Sequence, residues 1–376
     1  MGKPSRSEGF LTTTAEYLRL AQPHLRVLSA VSAEPLATYK RLAYLSGCSV
    51  QTFKHKFAQL CKASILQTIW ARVAYSALNL QVVPVLATVS VANIANVEKA
   101  CDLHPYTRYR ARCLGSTNGL FMRFAIPQGT EFQLIEFLDT LKQLTLIEDY
   151  TIPRFSAETV YVNPDFTYYN IASDTWQVKI KSWADALGEH ADELQQFASS
   201  HLSSLDLKDL QLIRHLTMDA RKPQKALSKE LQLPEYDVSR RLKFIFDNRI
   251  VLSFEVVLGK KVFPFGPLAL FQATCNMQTT RSIATGIRKL PFQSWLSPTN
   301  DGFLLFAGLP TSLFTEIGTV ILERSKNVKI SWIDYDTSMR YYFDETPYDE
   351  NKGEWRTDRE LVIEEPISIL KKELVK

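Results

Sequence analysis

Apolar residues recur along this chain with two periods, helical and alternating, and the two periods follow each other in the same order twice. Leu25, Val27, Leu28 and Val31 keep a helical spacing, and Tyr39, Leu42, Ala43 and Leu45 predict a second, short helix. Phe53, Phe57 and Leu60 fall at i, i+4 and i+7 of a third, which Ser49 is placed to cap through its hydroxyl after the break at Ser46-Gly47-Cys48. Burying that stripe leaves Gln51, Thr52, Lys54, His55 and Lys56 facing outward. Helix, short helix, tight turn and a third helix with a basic outer face predict a helix-turn-helix. The order returns with Leu207, Leu210, Leu212 and Ile213, then Ala226, Leu227 and Leu231. A turn at Gln232-Leu233-Pro234 follows, its proline suited to a first helical turn, and then a helix presenting Tyr236, Asp237, Ser239, Arg240, Arg241 and Lys243. A wing strand is expected over Val251 to Val257, turning at Gly259-Lys260-Lys261.

After each module comes a strand (Val82 to Val89; Leu268 to Thr274), a helix, a strand pair, a helix (Phe132 to Leu144; Leu313 to Leu322) and a last strand (Ile147 to Ile152; Val328 to Tyr335). The order β-α-β-β-α-β predicts a ferredoxin-like sandwich with two helices on one sheet face. The other face needs cover, and the natural partner is the other copy's sheet. The duplication is visible in the residues: Val50 to Leu60 answers to Glu235 to Ile245, and Thr117 to Ala125 to Thr299 to Ala307. Asp174-Thr175-Trp176 likewise answers to Gly353-Glu354-Trp355, each after a tyrosine-rich stretch (Tyr161, Tyr168 and Tyr169; Tyr341, Tyr342 and Tyr348). A period of roughly 185 residues is too long for a solenoid, whose repeats run to about 20–50. The expected fold is therefore α+β, with two tandem units, each a winged helix-turn-helix plus a ferredoxin-like domain, forming an intramolecular pseudo-dimer. The expected segments are a flexible 1–20, helix-turn-helix 21–75, ferredoxin-like 76–153 and a Tyr/Trp-bearing linker 154–204. Helix-turn-helix 205–262, ferredoxin-like 263–336 and a Tyr/Trp-bearing extension 337–376 complete the chain. The aromatic extensions are expected to cover a domain seam, their phenol and indole donors turned to polar partners.

Composition narrows the function classes. Five scattered cysteines without CxxC spacing argue for reduced thiols, and Cys101, His104 and Cys113 lack a fourth ligand, so neither a metal nor a cofactor is expected. The uncharged stretch from Val73 to Val97 is interrupted by Asn79, Gln81, Pro84, Ser90, Asn93 and Asn96, and the N-terminus is polar; a soluble, cytoplasmic protein with no membrane segment is expected. Net charge is +4, yet no acid lies between Glu34 and Glu98, where Lys40, Arg41, Lys54, Lys56, Lys62 and Arg72 stand. Such a basic face favours a polyanion. Phosphate-loop, dinucleotide, zinc-protease and serine-hydrolase motifs do not occur.

The arrangement resembles the Lrp/AsnC family of transcription regulators. The residues that carry the resemblance are Leu227-Ser228-Lys229-Glu230-Leu231-Gln232-Leu233, Ser239-Arg240-Arg241-Leu242, Arg249-Ile250-Val251 and Ala77-Leu78-Asn79-Leu80-Gln81-Val82. It implies a DNA-binding regulator whose partner is double-stranded DNA, with a small-molecule effector at the regulatory-domain interface and further homo-oligomerisation of the fused pair. Family members carry one unit per chain, and their glycine-rich effector turn is replaced here by Gly115-Ser116-Thr117-Asn118-Gly119 and Pro298-Thr299-Asn300-Asp301-Gly302. On this reading Gln51, Thr52, Lys54, His55, Lys56, Tyr236, Ser239, Arg240, Arg241 and Lys243 contact DNA, Arg reading guanine and Gln adenine. Lys40, Arg41, Lys222, Lys225 and Lys229 would hold phosphates. The two third helices differ, so the DNA site would be asymmetric, its half-sites about 34–36 Å apart.

The same tandem plan is similar to siroheme decarboxylase subunits, and His104-Pro105-Tyr106 with Arg108, Tyr109 and Arg110 carries that second resemblance. It implies that His104, Arg108 and Arg110 hold a tetrapyrrole's carboxylates. The counterpart Lys289-Leu290-Pro291-Phe292-Gln293-Ser294-Trp295 has neither His nor Arg, so one such site is expected. Composition alone reads the stretch as an exposed loop entering a basic strand.

Overall fold

The computed structural model describes residues 20–173, 175–188, 191–259 and 268–374. Its first half holds α1 (Gln22–Ala33), α2 (Tyr39–Ser46), α3 (Val50–Lys62), β1 (Leu66–Val73), β2 (Leu80–Thr88), α4 (Ile94–Leu103), β3 (Thr107–Gly115), β4 (Gly119–Pro127), α5 (Glu131–Gln143) and β5 (Asp149–Thr151). The first aromatic extension adds β6 (Val160–Val162), β7 (Tyr169–Asn170), β8 (Thr175–Trp176) and α6 (Ile180–Asp185). The plan repeats as α7 (Leu207–Met218), α8 (Gln224–Leu231), α9 (Glu235–Asp247), β9 (Val251–Leu258), β10 (Leu268–Thr274), α10 (Met277–Ile287), β11 (Ser294–Thr299), β12 (Gly302–Gly308), α11 (Thr311–Arg324) and β13 (Lys326–Ile333). It closes with β14 (Met339–Arg340), β15 (Tyr348–Asp349), β16 (Glu354–Trp355) and α12 (Glu365–Leu374). The fold is α+β, as the periodicities require.

Local chemistry sets the helix ends. Thr38 accepts the Arg41 amide at the start of α2, Gly47 at φ 65° ends it, and the Ser49 hydroxyl accepts the Thr52 amide to open α3. Pro234 stands one place earlier than expected, as the extended cap of α9, with φ −59° and ψ 145°. The strand over 251–258 is not a wing folded on its own module: β9 pairs antiparallel with β1 of the other copy, Ile69 opposite Val256. The expected turn at Lys260 and Lys261 lies outside the described residues.

Nine strands run β5-β2-β4-β3-β13-β10-β12-β11-β6 in one sheet, with β14 beside β3. The β3–β13 pairing, Trp332 opposite Leu114 and Ile333 opposite Cys113, fuses the two copies edge to edge. The face away from the helices is buried as expected, because Tyr109 of β3 meets Trp295 of β11 at 5.5 Å and Phe306 of β12 at 6.2 Å between ring centroids. The helix-side cores are exchanged. Leu25, Leu28, Phe53 and Leu60 of the first helix-turn-helix share a core with Phe271, Ile283, Phe303 and Ile317 of the second regulatory domain. Leu210, Ile213, Val238 and Ile245 of the second share one with Val85, Phe124 and Phe137 of the first. The extensions cross likewise: Trp176 packs on Phe292 at 5.1 Å, and the Trp355 indole donates to the Leu78 carbonyl at 2.7 Å.

The repeated Asn/Asp-Gly turns meet one demand in both copies. Gly119 and Gly302 hold φ 153° and 157°, and a Cβ would run into the Ala87 and Ala273 carbonyl oxygens of the neighbouring strands. Backbone cannot yield there without breaking the ladder. Gly302→Ala is therefore expected to destabilise the protein by about 2–3 kcal/mol, read as a lowered urea midpoint at unchanged slope.

Candidate functional site: a buried arginine seam

Two adjacent cavities lie where the copies meet. The outer one, of about 500 Å³, is walled by the α4–β3 corner (His104, Arg108), by α7 (Arg214, His215), by Glu230 of α8 and by the second extension from Tyr341 to Glu345. The inner one, of about 50 Å³, is lined by Trp70, Arg72, Tyr75, Arg108, Tyr109, Arg123, Tyr161, Trp295, Arg340 and Tyr341, among others. Arg108 and Tyr341 belong to both walls.

A register shift between Thr107 and Tyr109 in the β3–β4 ladder re-aims this stretch, as bulges do. Tyr109 turns between the sheets, while Arg108, 7% exposed, reaches the junction of the cavities. Its Nη1 donates to the Pro105 and Thr107 carbonyls at 3.3 and 2.9 Å. Its buried Nε and Nη2 make no hydrogen bond among the described residues. Burial pushes this guanidinium below the usual arginine range, against the pull of Tyr75 and Tyr106.

The inner cavity concentrates positive charge. Burial holds Arg72 down to about 9, with Tyr161 opposing and Arg340 and Arg123 adding repulsion. Arg72 pairs with Glu255 and stacks over the Tyr161 ring at 4.3 Å. Arg340 pairs with the same Glu255 at 3.1 Å, and Arg123 sits 4.9 Å over Trp295. Burial acts to raise the Tyr161 phenol, yet Arg123 and Arg72 outweigh it and leave the phenol below its ordinary value. Buried like charges of this kind are costly unless an anion joins them, and they mark candidate functional sites.

In the outer cavity His104 is 3% exposed, not part of an exposed loop. Its Nδ1 accepts the Tyr106 amide at 3.2 Å, which leaves the hydrogen of the neutral ring on Nε2, and the ring packs on Phe124 and Phe137. Arg110 does not join Arg108. It binds Asp102 at 2.8 and 3.2 Å and Glu98 at 3.2 Å, a cage of α4 acids to which Tyr341 also bonds. Burial and Lys222 lower the His215 imidazole below 6.5, with Glu230 opposing, Arg214 lowering and Glu345 raising it. An anionic ligand would raise His215 again, so its affinity should climb as pH falls below 6.5 and level off under the free protein's lower value. His215→Gln should flatten that rise in a titration series from pH 7.5 to 5.5.

The two third helices diverge. On α3, which contains no Asp or Glu, Gln51, Thr52, Lys54 and His55 are exposed; Lys54 lies over Tyr39 and Lys56 donates to Gln59. Lys40 is exposed beside it, while Arg41 is paired with Glu34. On α9, Tyr236 and Ser239 are exposed, but Arg240 pairs with Asp237 and Lys243 with Asp247. Arg241 was expected outside; it is turned in, 14% exposed, and held by Asp206, Asp209 and Asp237 at 2.8, 2.8 and 3.3 Å. Glu235 and Asp237 in the first turn of α9 would further oppose a phosphate at that helix end. Lys222 is paired with Glu230; Lys225 and Lys229 remain exposed on α8.

Arg123, Arg340, Arg214 and His215 escaped the sequence reading, and Arg72 and Tyr161 entered it only as part of a basic face and of an aromatic seam, not as site residues. The signal for two of them is an arginine alone inside an otherwise apolar strand, as in Trp70-Ala71-Arg72-Val73 and Phe121-Met122-Arg123-Phe124. Among the described residues, no group of three or more His, Cys, Asp or Glu side chains could hold a metal, and no helix is long and apolar enough to cross a membrane.

No protein-family model matches the chain, and no curated protein matches it. Solved structures do. The siroheme decarboxylase NirDL aligns over 93% of this chain and 99% of its own, at 12% identity and a TM-score of 0.51. The same protein with an iron-uroporphyrin III analogue gives 94%, 99%, 12% and 0.50. LrpC of B. subtilis covers 35% of this chain and 94% of its own, at 16% identity and a TM-score of 0.30. The likeness to NirDL is one of fold, and it runs along nearly the whole of both chains.

Proposed function

We propose that this chain takes a carboxylate-bearing tetrapyrrole into the 500 Å³ cavity between its copies and decarboxylates it. The observation that carries the reading is Arg108, buried, with two nitrogens, Nε and Nη2, that meet no well-aligned acceptor among the described residues, on the wall that this cavity shares with the chamber of Arg72, Arg123 and Arg340. Guanidinium groups match planar carboxylates in pairs of hydrogen bonds. The end-to-end likeness in fold to a siroheme decarboxylase supports the reading. In the reaction an acid arm loses CO2, the electron pair of the broken C–C bond stays on the arm's carbon, and one proton must arrive there. His104 and His215 stand on the cavity wall as the proton-handling groups. Closure by the aromatic extension keeps the charges in a low-dielectric setting, where they act strongly.

A second reading keeps DNA binding in the first helix-turn-helix alone, because α3 is without acids and presents Gln51, Thr52, Lys54 and His55. Spectral titration of the intact chain with siroheme or iron-uroporphyrin III, beside a mobility-shift series on genomic fragments, tests both. Saturable one-to-one spectral change with no DNA shift at 150 mM salt is the expected result. A sequence-selective shift abolished by Lys54→Ala/His55→Ala, with no spectral response, would replace the first reading by the second.

A further inference from the structure

The inner cavity does not fit the ligand of the outer one. About 50 Å³ holds a few waters or one small ion and excludes an organic ring system. Its walls nevertheless carry four arginines, Arg72, Arg108, Arg123 and Arg340, set against the Glu255 carboxylate. Trp295 and Tyr161 lie under two of these guanidinium groups, a stacking that keeps them flat and leaves their edges for hydrogen bonding. Arg108, buried and with no well-aligned partner for Nε and Nη2 among the described residues, faces the Tyr75 phenol but no carboxylate, and so keeps donor capacity that an anion would use. Guanidinium donors accept planar and tetrahedral oxyanions alike, so it is the small volume and the flat aromatic floor that favour a small planar oxyanion over a bulkier tetrahedral one.

We infer that the inner cavity is a binding site for a single planar carboxylate-type oxyanion, of the size of formate or bicarbonate, distinct from the chamber that would hold a ring system. The anion arrives free, or as one carboxylate arm of an outer ligand that passes between Arg108 and Tyr341. The chemistry of recognition is the same in both cases. The site stands on the charge and size of the chamber and does not require the outer cavity to take a tetrapyrrole.

Calorimetric titration of the full-length protein with formate, bicarbonate and nitrate, with sulfate as the tetrahedral control, tests the site. The expected result is one saturable site for the planar anions and none of comparable strength for sulfate. Arg340→Gln should weaken it by about tenfold, as the loss of one charge-assisted contact would. Tyr161→Phe, which preserves the ring and therefore the packing, should weaken it by a few fold even if Arg340→Gln fails to fold. Lys326→Gln, at an exposed cation outside both cavities, should leave it unchanged. Repeating the titration with iron-uroporphyrin III present separates the sources: competition identifies an arm of the macrocycle, and simultaneous binding identifies a free anion. The inference is overturned if formate, bicarbonate and nitrate all fail to saturate up to roughly 100 mM, where even a millimolar site is filled. Saturable binding that Arg340→Gln and Tyr161→Phe leave untouched overturns it as well. If the macrocycle does not bind but the small anions do, the proposed decarboxylase falls and the anion site remains.

Discussion

Arg108→Met is expected to lower the affinity for iron-uroporphyrin III by roughly 100- to 1000-fold while changing stability by no more than about 1 kcal/mol. The two halves of that expectation have one physical origin. The guanidinium is 7% exposed, pushed below its usual range by burial, and satisfied at Nη1 alone through the Pro105 and Thr107 carbonyls. Without a ligand the group is a cost, since Nε and Nη2 are buried with no well-aligned acceptor among the described residues and the Tyr75 phenol offsets the burial only in part. A methionine of similar length restores the stem packing and removes the desolvated charge, and the two lost bonds to carbonyls offset that gain. In the complex the same N–H groups meet a carboxylate, and truncating one partner of a buried charged pair costs about 2–5 kcal/mol. A purely structural arginine would show the opposite pattern, with a large loss of stability and little loss of binding. Titration by absorbance together with urea unfolding separates the two, and unchanged affinity in a folded Arg108→Met protein would remove Arg108 from the site.

Trp355→Ala is expected to cost about 3–5 kcal/mol and to disrupt the first half of the molecule, although the residue belongs to the second. Trp355 is 4% exposed, packs on Phe343 at 5.8 Å and Tyr348 at 5.3 Å, and donates its indole N–H to the Leu78 carbonyl at 2.7 Å. Removing it leaves a cavity and an orphaned buried carbonyl, two separate penalties. Trp355→Phe should recover most of the packing and lose about 1–2 kcal/mol for the hydrogen bond. Both copies contribute to each helix-side core, so unfolding followed by far-ultraviolet circular dichroism and by fluorescence should give one coincident transition. Two separate transitions, one for each half, would contradict the exchanged cores.

The electrostatic contrast between α3 and α9 explains why a sequence search for basic helices misleads here. Arg240 and Arg241 read like their counterparts Lys54-His55-Lys56, but Asp237 sits three and four residues before them on the same face. Asp206 and Asp209 at the start of α7 complete the neutralisation of Arg241. The Asp237 pairing is visible in the spacing. The contribution of α7 is not, because it crosses more than thirty positions of chain.

The chain's own pattern determined the elements. Period 3.6 and period 2 are local properties, caps such as Ser49 act within three residues, and the Thr-Asn-Gly and Thr-Asn-Asp-Gly turns recur because a strand carbonyl leaves no room for a Cβ in either copy. The duplication and the α+β class could be read from those periods and motifs, whereas His104 and Arg108 became candidates only through the resemblance of their stretch to siroheme decarboxylase subunits. Which copy's helices cover which sheet was a tertiary decision, since both cores offer the same apolar stripes and the outcome rests on β1 pairing with β9 and β3 with β13. The arginine chamber was decided at the same level. Arg72, Arg123 and Arg340 come from three separate strands, and each looks like an isolated charge until edge-to-edge pairing brings them around one cavity and burial makes their repulsion matter.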